Sequence, residues 1–239
     1  MKTAAVILSG GSGKRMGAGC PKQYMDLCGY PLIYYSIKAF EDSFIDEIVL
    51  VCAAGDEEMC RSNIVQRYGF KKIKSIVCGG AQRYHSVMCG VKAVSASADY
   101  IFIHDGARPF IDAAVLKRAL NDVCEKKACV VGMPVKDTIK IASADGYVDQ
   151  TPARTLVWQV QTPQVFAADL IRAAYAQLEE REEELLAKGI EITDDAMIVE
   201  LLMNRKVYLT AGSYENIKIT TPEDMEYARW MIEERRKKR

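Results

Sequence analysis

The sequence predicts an α/β fold with a mostly parallel sheet flanked by helices. Apolar segments of strand length alternate with helix-length amphipathic segments through the first two-thirds of the chain. A glycine-rich stretch directly follows the first apolar segment, as in many nucleotide-binding sheets. The 239 residues, 49% of them hydrophobic, fit one large domain or two small ones and are enough to form a core.

The elements of the first part follow one another in a regular order. Residues 3–8 are continuously apolar, which is typical of a strand buried on both faces. The predicted helix at 56–69 begins with acidic residues and ends on glycine, as helices do. Further strands are predicted at 47–53, 72–78, 100–105 and 128–134, and further helices at 31–40, 82–97 and 112–126. Helices between strands make the right-handed crossovers of a parallel sheet.

The alternation stops after residue 134. No helix separates the next strand-like segments, so they predict a β-ribbon with a turn at 143–146. A ribbon is not stable alone and must pack on its own sheet or on a partner subunit. Its three strands are predicted at 137–142, 147–151 and 154–162. Later helices are predicted at 167–189, at 194–204 and from Thr221 onward, and later strands at 206–211 and 216–220.

Composition and charge exclude several classes of protein. The 32 Lys and Arg balance 32 Asp and Glu, which argues against a general nucleic-acid binder. Only two histidines occur, so a His-rich metal site is excluded, and no cysteine pair has the CxxC spacing. No apolar run approaches the ~20 residues of a membrane span. We expect a cytoplasmic protein that binds neither nucleic acid nor membrane. The acidic residues 179–184 and the basic residues 235–239 predict solvated helix faces.

The first candidate site is the turn at residues 8–24, which combines glycines with the cations Lys14, Arg15 and Lys22. Glycine lets backbone N–H groups approach an anion at the carboxyl edge of a sheet. The spacing does not fit a P-loop, because Arg15 stands where Ser or Thr is needed, and Met16 replaces the third glycine of the dinucleotide motif. The composition suits a triphosphate; a tight turn with solvated cations is the alternative.

Two further segments place polar groups after predicted strands. Asp105 follows residues 100–104 and could bind Mg²⁺ or ribose hydroxyls, although Asp-Gly is also a common turn. His104 beside it is interpreted as a structural histidine. Arg83 and Ser86 follow a second glycine pair, which suits recognition of a base or phosphate but equally a helix cap. Lys218 alone would be expected to face solvent.

Together these segments resemble the 2-C-methyl-D-erythritol 4-phosphate cytidylyltransferase family. Motifs of that family stand in its order from residue 4 to about residue 228: LSGGSGKRMG, PKQY, HDGARPF, VKDTIK, TPQVF, TDDAMIVE and NIKITTPEDM. One departure is Ser9-Gly10-Gly11, where the family commonly has two alanines before glycine. The resemblance implies a Rossmann-like nucleotidyltransferase fold in a single domain, residues 1–239, with a protruding β-arm at about 136–162.

The resemblance also implies an activity and its residues. CMP would pass from CTP to 2-C-methyl-D-erythritol 4-phosphate, with release of pyrophosphate and with Mg²⁺ or another divalent cation held by Asp105. The catalytic residues would be Arg15, Lys22, Arg154 and Lys218. CTP would contact Ser9, Gly10, Gly11, Gly13, Lys14, Gly80, Ala81, Arg83, Ser86 and Asp105. The acceptor substrate would contact Arg108, Thr138 and Thr162. A homodimer would exchange the arm, so that Arg154 serves the partner's site.

Two other functions stay open on the sequence. Ribitol 5-phosphate cytidylyltransferases share the loop and the arm, although the TDDA segment favours the methylerythritol enzyme. A non-catalytic nucleotide-binding regulator is the alternative of another class. The combination of Arg15, Lys22, Asp105 and Lys218 argues against it, because binding alone would not require all four.

Overall fold

A computed structural model describes residues 1–11 and 21–237 of the chain. Within these ranges the strands are β1 (Thr3–Ser9), β2 (Asp26–Leu27), β3 (Tyr30–Pro31), β4 (Glu47–Cys52), β5 (Ile73–Cys78), β6 (Tyr100–Asp105), β7 (Ala128–Pro134), β8 (Ile141–Ala142), β9 (Val148–Gln150), β10 (Trp158–Ala167) and β11 (Tyr208–Ala211). The helices are α1 (Leu32–Glu41), α2 (Glu57–Met59), α3 (Arg83–Ala93), α4 (Ala113–Lys126), α5 (Ala168–Ala187), α6 (Asp195–Met203) and α7 (Pro222–Lys237). A π-helical segment, Cys60–Gln66, continues α2.

Seven of these strands form one sheet, in the order β11-β7-β10-β6-β1-β4-β5. The pairs β1–β4, β1–β6, β4–β5 and β7–β11 are parallel, and β10 is antiparallel to both of its neighbours. The predicted mostly parallel sheet is therefore confirmed. Its parallel strands share one carboxyl edge, where ligands bind in α/β proteins.

Helices cover both faces of this sheet, which explains the continuous apolar run at the start of the chain. Side chains of β1 alternate between the faces: Val6 packs in one core cluster with α3, α5 and α6, and Ile7 in the other with α1 and α4. A third cluster joins α7 to the β2–β3 hairpin, around Phe110 and Ile219. This third cluster fixes the C-terminal segment beside the carboxyl edge of the sheet.

The predicted three-stranded ribbon is partly wrong. Only β8 and β9 pair as a hairpin, and the segment predicted at 154–162 instead enters the main sheet as β10. The strand continues beyond the predicted segment to Ala167, although Pro163 cannot donate to the ladder. In the structure, the pairing of β10 with β7 is interrupted between Val160 and Gln164, and the proline lies in that interruption.

The predicted strand at 216–220 is also wrong. This segment pairs with no strand of the described chain. The N–H of Ile219 instead donates to the carbonyl of Ala107 at 2.8 Å, in the turn after β6. The segment is held as an extended connection between β11 and α7.

The seven cysteines in the described part of the chain are all free, and Cys52, Cys60 and Cys129 are buried as small apolar residues. Among the described helices, none combines the length and apolar character needed to cross a bilayer.

Candidate active site

A cleft of about 510 Å³ opens at the carboxyl edge of the sheet, where β1, β5 and β6 end. It brings together segments from opposite ends of the chain. The predicted site residues that line it are Ser9, Gly10, Gly11, Lys22, Gly80, Ala81, Arg83, Ser86, Asp105 and Lys218. The predicted residues Gly13, Lys14 and Arg15 lie outside the described residues.

Asp105 is the electrostatic centre of the cleft. Lys218 Nζ lies 2.8 Å from its Oδ2, Arg83 Nε lies 3.4 Å from its Oδ1, and Arg108 Nε lies 3.8 Å from its Oδ2. Burial alone would raise the pKa of this carboxyl, but the three neighbouring cations outweigh burial and hold the pKa well below its usual range. The site therefore contains a permanent carboxylate among cations, and Lys218, although partly exposed, pairs with that carboxylate inside the cleft.

Arg83 is fixed by a residue to which the sequence assigned no role. Its Nη1 and Nη2 donate to the two oxygens of Asp195 at 3.0 and 2.9 Å, in a bidentate pair. Asp195 is fully buried and also accepts a hydrogen bond of 2.6 Å from the Tyr175 hydroxyl. Both terminal nitrogens of Arg83 thus bind Asp195. The sequence signal that could have identified Asp195 is the TDDA motif, which contributes to the family resemblance but assigns no role to Asp195.

Asp194, the residue before Asp195 in the motif, is the N-cap of α6 and so fixes the direction in which Asp195 points. Asp194 caps the helix by accepting from the N–H of Met197 at 2.9 Å. Gln164 of β10 donates to Asp194 at 2.8 Å and accepts from the N–H of Ala196 at 2.9 Å. The helix start is therefore attached to the sheet on both sides of Asp195.

Lys218 is placed by two anchors on either side of it. The buried Asn216 donates from Nδ2 to the carbonyl of Thr162 at 2.8 Å, and its own carbonyl accepts from Arg108 Nη1 at 2.9 Å. After Lys218, the carbonyl of Ile219 accepts from Lys22 Nζ at 2.8 Å. These bonds bring Lys22 and Lys218, which are distant in sequence, to the same cleft.

His104 and Thr162 lie behind the wall of the cleft. Thr162 Oγ1 accepts from the N–H of Asp105 at 3.1 Å and lies 3.0 Å from His104 Nδ1, while His104 Nε2 lies 3.2 Å from the carbonyl of Arg108. Burial lowers the pKa of His104 to about 4, so the ring is neutral near pH 7. The interpretation of His104 as structural is confirmed.

The second glycine pair forms a loop that closes against the start of α3. The N–H of Gly80 donates to Ser86 Oγ at 3.2 Å, and the Ser86 hydroxyl donates to the carbonyl of Gln82 at 3.2 Å. An added Cβ at Gly79 would lie 2.5 Å from Ser86 Oγ, so glycine is required for this approach.

Hydrogen bonds with the segment Lys22–Tyr24 hold the first glycine stretch in place. Gln23, which is buried, donates from Nε2 to the carbonyls of Ser9 at 2.6 Å and Gly11 at 3.0 Å. The hydroxyl of Ser9 donates to that of Tyr24 at 3.1 Å. Sequence reasoning missed the roles of Gln23 and Tyr24, which belong to the PKQY motif.

Arg108 and Thr162 contact Asp105 but do not line this cleft. Thr138 and Arg154 are the predicted site residues that lie away from it. Both are exposed on the arm, where Arg154 Nη1 donates to the carbonyl of Lys136 at 3.0 Å. The arm also exposes large apolar side chains, including Tyr147 and Leu156, at 74% and 80%.

Comparisons with known proteins find relatives in one enzyme family. The family model described as IspD: 2-C-methyl-D-erythritol 4-phosphate cytidylyltransferase matches residues 3–234. Enzymes of that name from Lachnospira eligens and Lachnoclostridium phytofermentans are 49% and 44% identical, and the alignments cover 94% and 98% of this chain and 96% and 97% of those proteins. The crystal structure of 4-diphosphocytidyl-2C-methyl-D-erythritolsynthase from Anaerococcus prevotii is similar, with a TM-score of 0.83 and 32% identity, over 97% of this chain and 96% of that chain.

We expect Asp195→Asn to weaken both the fold and the site. The change leaves the guanidinium of Arg83 without its bidentate carboxylate, which should lower the free energy of unfolding by about 3 kcal/mol. Displacement of Arg83 beside Asp105 should lower turnover on the order of tenfold or more. Urea denaturation and steady-state kinetics measure the two effects. Asp194→Asn is the control, because Asn caps a helix as well as Asp does and gives up only the bond from the neutral Gln164, so its losses should be the smaller ones. Equal losses in both variants would contradict the role of the Arg83 pair.

His104 should make the fold sensitive to acid. The unfolded chain takes up this proton near pH 6.5 and the folded chain only near pH 4, so stability present above pH 6.5 is lost as the pH falls toward 4. The loss should be about 3 kcal/mol greater in the wild type than in His104→Asn. Urea unfolding at pH 7 and pH 4 measures the difference. Parallel pH dependence in the two proteins would show that His104 is not the cause.

Proposed function

The chain belongs to the 2-C-methyl-D-erythritol 4-phosphate cytidylyltransferase family, and from this premise we propose that it transfers CMP from CTP to 2-C-methyl-D-erythritol 4-phosphate, releasing pyrophosphate. It is a nucleotidyltransferase of isoprenoid biosynthesis. The observation that carries the proposal is the cleft, in which glycine-rich loops face Lys22, Asp105 and Lys218. Glycine N–H groups and cations are the groups that bind phosphates.

The reaction needs positioning and charge neutralisation rather than a general base. An oxygen of the acceptor's phosphate attacks the α-phosphorus of CTP, and the bond from that phosphorus to the pyrophosphate oxygen breaks in line. The attacking phosphate is already anionic near neutral pH. We assign Arg15 and Lys22 to the CTP phosphates and to the charge that develops at the α-phosphorus, with Lys14 assisting. The neutral, buried His104 agrees with a mechanism that uses no histidine base.

The nucleoside part of CTP is assigned to the other side of the cleft. Gly80, Ala81 and Ser86 would recognise cytosine, with Arg83 close by, and Asp105 would orient the ribose. Asp105 would also hold a divalent cation. Among the described residues, no group of three or more His, Cys, Asp or Glu forms a metal cage. One carboxylate completed by phosphate oxygens is the usual arrangement for Mg²⁺ carried with a nucleotide. The bound cation would neutralise triphosphate charge.

The acceptor substrate is assigned to residues from two subunits. Lys218 would aim its phosphate in one subunit, and Arg108 and Thr162 would support the pocket from behind the wall of the cleft. Thr138 and Arg154 are distant from the cleft of their own chain, and the exposed apolar side chains of the arm suit burial against a partner. We therefore assign them to the cleft of the partner in a homodimer.

The free cysteines suit a reducing compartment, so we place the enzyme in the cytoplasm.

Pyrophosphate release from CTP and Mg²⁺ tests the activity. We expect release with methylerythritol phosphate and little with ribitol 5-phosphate or with no acceptor. Lys22→Ala and Arg15→Ala should each lower kcat by about 100-fold or more, because each removes a preorganised charge at the reacting phosphorus. Lys206→Ala, an exposed lysine outside the cleft, is the control. Failure of the wild type with both acceptors would favour a nucleotide-binding regulator.

Mixed dimers test the shared site. Arg154→Ala and Lys22→Ala homodimers should both be nearly inactive. In a heterodimer of the two variants, one cleft has an intact Lys22 and receives an intact Arg154 from the other chain, so about half of the wild-type activity per dimer should return. Co-purification with two different tags isolates the heterodimer. A heterodimer as inactive as its parents would disprove exchange of the arm between subunits.

A further inference from the structure

One residue of the acidic segment of α5 is connected to the cleft, contrary to the expectation that residues 179–184 form a solvated face. Glu182 accepts from the Tyr84 hydroxyl at 2.7 Å and lies 3.0 Å from His85 Nε2. Glu179, one turn earlier, pairs with Lys92 on the exposed surface of α3. Glu182 therefore differs from its neighbour by binding the first turn of α3, next to the glycine loop.

His85 connects Glu182 to the glycine loop through hydrogen bonds of its ring. The N–H of Gln82 donates to His85 Nδ1 at 3.3 Å, and the Gln82 side chain accepts from the N–H of His85, in a reciprocal cap of α3. A neutral imidazole has one donor and one acceptor nitrogen. Donation from Nε2 to Glu182 leaves Nδ1 as the acceptor that Gln82 needs. The Glu182 carboxylate therefore fixes which nitrogen of the His85 ring carries the proton and how the ring is oriented.

The loop cannot move independently of His85. A Cβ added at Gly80 would lie 2.4 Å from the Cβ of His85, so the backbone of Gly80 lies directly against that side chain. Gly80, Ala81 and Gln82 line the cleft, whereas neither His85 nor Glu182 does. Rotation of the His85 ring would break the bond from the N–H of Gln82 to Nδ1 and so release the Gln82 side of the cleft wall.

From these contacts we propose that Glu182 is a positioning residue, which acts through His85 to hold the Gly80–Gln82 loop in the shape that receives the nucleotide base. The inference rests on the proposed function and assigns a further residue to the same cleft. The loop contacts the base, which is remote from the reacting phosphorus. Glu182 should therefore contribute to binding of the ground state and the transition state alike, which changes KM and not kcat.

The matched variants are Glu182→Ala and Glu179→Ala, which remove the same group one helical turn apart. We expect Glu182→Ala to raise the Kd for CTP about tenfold, measured by calorimetric titration without acceptor, and to raise the KM for CTP similarly. The kcat at saturating CTP should stay within about twofold. Glu179→Ala should leave all three unchanged. Glu182→Gln keeps one acceptor oxygen for His85 and should recover part of the affinity.

A double-mutant cycle tests the path through His85. In a His85→Ala background, Glu182→Ala should weaken CTP binding no further, because the intermediary is gone. Unchanged CTP affinity in Glu182→Ala, an equal loss in Glu179→Ala, or additive losses with His85→Ala would each overturn the proposal. Failure of the proposed function has a different signature, since the wild type would then release no pyrophosphate with methylerythritol phosphate, whatever the CTP affinities of the Glu182 and His85 variants.

Discussion

The arrangement of the cleft depends on one buried carboxylate, that of Asp105. The side chains of Arg83, Arg108 and Lys218 come from three different elements, and like charges so close together would repel one another without it. Asp195 supplies a second buried carboxylate for Arg83. The cations are thus held in position by the protein's own anions before any ligand arrives. An arrangement formed in advance loses less free energy to ordering when the ligand binds.

The same bonds explain why the site is formed from such distant segments. The N–H of Asp105 is bonded to Thr162 of β10, and the carbonyl of Thr162 is bonded to Asn216, two residues before Lys218. The carbonyl of Ile219, one residue after Lys218, accepts from Lys22. Backbone groups carry most of these connections, so the positions of the two lysines follow from the path of the chain.

Patterns of spacing predicted much of this fold, and motifs predicted much of the cleft. Val6 and Ile7 belong to a continuous apolar run, which is typical of a strand covered by helices on both faces. Glycines follow the strands that end at the cleft. Partners across the fold were not predictable, because no local pattern encodes them. Asp195 acts through Arg83, which is 112 residues away in sequence. Pro163 lies in an interruption of the pairing between β10 and β7, and the sequence of β10 alone does not reveal that interruption.

The continuity of β10 restricts where the chain can change in length. Trp158 begins β10 at the base of the arm, and four residues later Thr162 bonds the N–H of Asp105, without an intervening loop. Side chains alternate along a strand, so deleting one residue there would turn Thr162 to the opposite face of the sheet. The turn at Ser143–Gly146 has no such restriction, because it joins β8 to β9 at the exposed end of the arm. Insertions and deletions are therefore compatible with the tip of the arm but not with its base.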